Sequence, residues 1–83
     1  MLNKGKLDDA LHCVAIEVEH AMNHHPAMNT CHEGYAVILE ELDELWDQIK
    51  VKQSKRDTSQ IRDEAIRVAA MAVRFIHDLD GTK

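Results

Sequence analysis

Residues 33–52 read EGYAVILEELDELWDQIKVK, and this stretch decides the fold class. At roughly 100° per residue it is a helix with two unlike sides. Tyr35, Ile38, Leu39, Leu42, Leu45, Trp46 and Ile49 cluster on one side. Glu33, Glu40, Glu44 and Asp47 gather on the other, with Glu41 on the flank and Val37 among the acids. Glu40 and Glu44 stand one turn apart and repel each other. A solvated helix usually sets Lys or Arg four residues after such acids, but Gln48 follows Glu44 at that spacing. A hard divalent cation is the natural neutraliser of such a face. An ordinary acidic, solvated face is the alternative.

Working outward, the same periodicity predicts a helix on either side. Leu7, Leu11, Val14, Val18, Ala21 and Met22 share one face of a first helix over 7–23, with Asp8 and Asp9 placed in its first turn. Glu17 falls at the border of that face, either as a solvated boundary residue or as part of a pocket wall. Pro26 disfavours helix at His25 and ends the element. Thr30-Cys31-His32-Glu33 has capping-box spacing and opens the second helix, which predicts a capping role for Glu33. Residues 53–60 are polar and form a loop, in which Thr58 or Ser59 can cap the next helix.

The third helix is expected over 60–79, with Gly81 as its stop. Ile61, Ala65, Val68, Ala72, Phe75 and Leu79 form its main stripe. Ile66, Ala69, Ala70, Val73 and Ile76 form a second, which predicts burial against another copy of the chain. The narrow polar strip allows Asp63–Arg67 and Arg74–Asp78 pairs. Glu64 borders the main stripe and is expected to point toward Glu40 and Glu44. Trp46 and Phe75 are expected in the core.

Composition narrows the function classes. The chain has 83 residues, 45% of them hydrophobic, and a formal net charge of −5. That length is one domain, 1–83, and buries only about 60–65% of its unfolded surface, so helices completed by a second subunit are expected. Net negative charge argues against a nucleic-acid polymer as partner. No run approaches the roughly 20 apolar residues of a membrane span, and no signal peptide is read at the start. Cys13 and Cys31 make no disulfide framework, so a cytoplasmic location is expected. His20, His24, His25, Cys31 and His32 offer a rival zinc reading, although their order matches no familiar closed zinc spacing.

Two segments carry a family resemblance. Glu40-Glu41-Leu42-Asp43-Glu44 matches EExxE, and Asp63-Glu64-Ala65-Ile66-Arg67 follows on the next helix where the pattern continues as ExxD. Together they resemble the MazG-like all-α nucleoside triphosphate pyrophosphohydrolases over the second and third helices. The resemblance implies a three-helix, all-α chain whose MazG-like bundle is completed as a homodimer or a dimer of dimers. It implies Mg²⁺, with Mn²⁺ as a substitute, on Glu40, Glu41, Glu44 and Glu64. It also implies attack of water at the α-phosphorus of a nucleoside triphosphate, releasing the monophosphate and pyrophosphate. Arg67 departs from the pattern, standing where the final Asp belongs. Arginine cannot ligate a cation. It can hold a substrate phosphate, or pair with the acids and leave a non-catalytic helical interaction module on the same scaffold.

Overall fold

A computed structural model describes residues 1–79, and the Gly81 stop expected from the sequence lies outside them. Three helices make up the fold: α1, Lys4–His24; α2, Cys31–Ile49; and α3, Thr58–Asp78. A short 3-10 turn, Gln53–Lys55, interrupts the connection between α2 and α3. No strand occurs among the described residues.

Capping explains where the helices begin. Asn3 accepts the Lys6 N–H, so α1 starts three residues before the expected Leu7. Asp8 therefore lies beyond the first turn, where it pairs with Lys4 at 3.2 Å. Thr30 accepts the Glu33 N–H at 3.0 Å, as expected of a capping box. The Glu33 carboxylate reaches back to the Asn29 N–H, one residue before the cap. Asp57, rather than Thr58 or Ser59, caps α3 by accepting from the Ser59 and Gln60 N–H groups. Hydrogen bonds from the Ser59 side chain and the Gln60 N–H hold its carboxyl below the usual carboxylate range.

α3 packs against both α1 and α2. Gly34 near the start of α2 lies against Phe75 late in α3, and Gln48 shares a recess with Gln60, so these two helices run antiparallel. Arg62 reaches Cys13 and Arg74 reaches Pro26, so α1 and α3 run parallel. The core is small: Ala21, Met28, Ala70 and Met71, with Val14, Val18, Val37, Ile38 and Phe75 packed around it. The connection between α1 and α2 is pinned to the end of α3. Arg74 donates to the Pro26 carbonyl, and the Met28 N–H donates to Asp78 at 3.0 Å. That N–H is the main reason the Asp78 carboxyl sits below the ordinary range.

Several burial expectations change. Ala70 is fully buried inside the single chain and Ile66 lines the α1–α3 groove, while Val73 and Ile76 of the same stripe stay exposed at 44% and 69%. Val37 joins the core and is not part of the acidic face. Trp46 is exposed, along with Tyr35, Leu39 and Leu42, while Phe75 is packed as expected. These departures share a cause. Gly34 sets the line along which α2 meets α3, and that line runs through Gly34, Glu41, Leu45 and Gln48 rather than through the most apolar stripe.

Candidate metal centre

Glu41 and Glu44 stand three residues apart on the edge of α2 that meets α3, and Glu64 faces them from α3. Carboxylate oxygens from the three lie within 4.8 Å of one another. Glu64 is only 5% exposed. One of its oxygens, Oε1, accepts from Arg67 Nη1 at 3.3 Å, while Oε2 is buried without a partner. Glu41 Oε2 is likewise buried and unpartnered.

Such oxygens are costly to leave unsatisfied, and two facing carboxylates cannot both ionise cheaply. The electrostatics follow. Burial, then the neighbouring Glu64 and Glu44, push the Glu41 carboxyl up to about 8. Near neutral pH the Glu41 carboxyl of the metal-free cluster therefore keeps its proton. A cation can take that proton's place and satisfy both orphaned oxygens. The donor set is all carboxylate oxygen, which suits Mg²⁺ or Mn²⁺ and not zinc.

Of the four acids named from the sequence, the structure brings three together. Glu40 is exposed and lies on the wall of an adjoining cleft. That cleft has a volume of about 420 Å³ and is walled by all three helices. Glu17 and His20 come from α1, Glu40 and Glu41 from α2, Arg67 and Arg74 from α3. Glu17 is half-buried there, which favours the pocket-wall alternative. Arg67 lines this cleft and also a smaller recess of about 230 Å³ that holds Glu64, Gln48 and Gln60. Its ion pair among the described residues is with Glu64, not the expected Asp63. The Arg67 side chain remains 49% exposed, so its guanidinium can leave the carboxylate without unpacking the core.

The histidine–cysteine reading finds no such convergence. The His20 and His24 rings lie 4.3 Å apart, and His24 Nδ1 is 2.8 Å from the His20 carbonyl oxygen. Glu41, Glu44 and Glu64 are the only group of three or more ligand-type side chains close enough to share an ion among the described residues. Arg74, Gln48 and Gln60 are the site neighbours that sequence reasoning missed. Arg74 left a signal as a charge on a helix rich in Ala, Val and Ile, and Gln48 as the uncharged residue one turn after Glu44. No helix among the described residues is long and apolar enough to cross a membrane. Compared with known proteins, the chain matches no family model, no curated protein and no solved structure.

Proposed function

We propose that Glu41, Glu44 and Glu64 hold a hard divalent cation, Mg²⁺ or Mn²⁺, and that the chain hydrolyses a nucleoside triphosphate to its monophosphate and pyrophosphate. The observation that carries the first half is the buried Glu64 carboxylate, with one oxygen unpartnered and two further carboxylates beside it. The second half rests on the resemblance of residues 34–46 and 63–71 to MazG-like enzymes, and on a cleft of nucleotide-compatible size next to Glu41. A bound cation would supply positive charge to the triphosphate and lower the pKa of an attacking water. Arg67 and Arg74 line the cleft among the carboxylates of Glu17, Glu33, Glu40 and Glu41, and since Arg74 is buried and donates to the Pro26 carbonyl, Arg67 is the guanidinium with reach to phosphate oxygens. Arg67, once released from Glu64, has the fork geometry to hold a phosphate bidentately. Water oxygen joins the α-phosphorus, the bond to the bridging β-phosphate oxygen breaks, and pyrophosphate leaves.

The Arg67–Glu64 pair favours a second reading. If Arg67 stays on Glu64, it supplies the neutralising charge itself and the chain is a metal-free interaction module. Calorimetric titration with Mg²⁺ and Mn²⁺, followed by a pyrophosphate-release assay, separates the two. Divalent binding and pyrophosphate, rather than orthophosphate, are expected from at least one common nucleoside triphosphate. Arg67→Asp should tighten metal binding. Absence of both binding and turnover in the natural chain and in Arg67→Asp leaves only the interaction-module reading.

A further inference from the structure

The carboxylate site leaves the histidines of α1 unused. His20 and His24 stand four residues apart at the end of that helix, so their exposed side chains are neighbours on one face. Their ring centres lie 4.3 Å apart, with the planes tilted by 34°.

The hydrogen bond of His24 fixes its tautomer. His24 Nδ1 is 2.8 Å from the His20 carbonyl oxygen. A carbonyl can only accept, so Nδ1 carries the ring proton and Nε2 keeps its lone pair. Metal-binding imidazoles usually make such an outer bond, which orients the ring and frees the other nitrogen for the ion.

The ring separation then selects the cation. An imidazole nitrogen sits about 2.0–2.1 Å from a divalent transition ion, which puts the ring centre about 3.2 Å from it. Two such rings at a right angle about the ion have centres about 4.5 Å apart, and at a tetrahedral angle about 5.2 Å. The observed 4.3 Å is close to the right-angled, tetragonal arrangement of Cu²⁺ and Ni²⁺, and further from the tetrahedral one of Zn²⁺.

We infer that His20 and His24 form a two-imidazole chelate for Cu²⁺ or Ni²⁺ on the surface of α1. Among the described residues no third ligand-type side chain converges on the pair, so the remaining positions on the ion go to water or an outside ligand. Cys31 and His32 take no part, since they line a separate recess with Tyr35. His20 also lines the three-helix cleft, which puts the chelate at the rim of that cleft. Nitrogen donors and hard carboxylate oxygens prefer different ions, so this inference and the Glu41–Glu44–Glu64 reading fail separately.

Calorimetric titration of the full chain with Ni²⁺ tests it, in excess Mg²⁺ to compete for carboxylate oxygens. Ni²⁺ is the probe because, unlike Cu²⁺, it does not oxidise the thiols of Cys13 and Cys31. One Ni²⁺ per chain is expected. His20→Ala and His24→Ala should each weaken binding more than about tenfold, because one imidazole alone makes no chelate. Cys31→Ser and His32→Ala should leave it unchanged. Paramagnetic Ni²⁺ should also broaden the ring-proton resonances of His20 and His24 before those of the other histidines, which decides the matter should a variant fail to fold. No binding by the natural chain, unchanged affinity in either of the two alanine variants of the pair, an equal loss in Cys31→Ser or His32→Ala, or even broadening over all six histidines would each overturn the inference.

Discussion

In the proposed cation site Glu64 and Glu41 stand out, because each buries an oxygen that no N–H or O–H of another residue type reaches. The Glu41 carboxyl, pushed from 4.5 up to about 8, makes a pH prediction. Between those values the folded metal-free chain binds a proton that the unfolded chain has released. Stability is therefore full below the lower value and falls as pH rises toward the upper one. Urea midpoints in chelator should be lower at alkaline than at mildly acidic pH, and saturating Mg²⁺ should reduce or reverse that trend. Glu64→Gln should stabilise the metal-free fold, on the order of 1 kcal/mol, by removing a like charge and offering Glu41 a donor. The same change should weaken divalent binding more than about tenfold, read by calorimetry. Glu40→Ala should do far less, since Glu40 is exposed on the cleft wall. The sequence shows the acids plainly, but their order of importance follows from the rotation of α2 against α3. Charge pattern favours Glu40 and Glu44, whereas contact with α3 brings in Glu41.

That rotation is set within the helices by one close approach. A Cβ built on Gly34 would fall on Cδ1 and Cε1 of the Phe75 ring, well inside van der Waals contact. Gly34→Ala gains about 1 kcal/mol of helix propensity but must displace a packed ring, and overpacking costs about 1–3 kcal/mol. The net effect should be a lower urea midpoint, partly restored by Phe75→Leu in the double variant. A change that rolls α2 also moves Glu41 relative to Glu64, so divalent affinity should fall with the midpoint. Helix number and type were legible because periods of 3–4 residues run through each segment, and Thr30 and Pro26 mark their boundaries. Which stripe of α2 turns inward was not legible. Tyr35, Leu39, Leu42 and Trp46 make a larger apolar stripe than the line through Glu41, yet Gly34 lets α3 come closest on that line. Arg74 and Asp78 were equally hard to place, because a helical i,i+4 pair and a clamp on a distant loop look the same in sequence.

At the scale of the molecule, a core of four buried apolar residues among the described ones leaves little stability in an isolated 83-residue chain. Two associations would add to it on separate surfaces, a cation on the carboxylates and a second copy on the exposed Tyr35–Trp46 stripe, and each would shift unfolding by mass action. A cation at about a hundred times its dissociation constant adds about 2.7 kcal/mol if the unfolded chain does not bind it. Dimerisation would make the melting temperature depend on chain concentration. The two dependences should separate by mutation, because the carboxylates and the Tyr35–Trp46 stripe lie on different sides of the α2–α3 layer. Leu42→Glu should abolish the concentration dependence and keep the rise with Mg²⁺. Glu64→Gln should keep the concentration dependence and lose the rise with Mg²⁺. Thermal scans over a hundredfold range of chain, each with Mg²⁺ and with chelator, read both at once. If Leu42→Glu also loses its Mg²⁺ response while remaining helical, the metal site needs the second copy, and cation binding should then drive assembly in the natural chain by the same linkage.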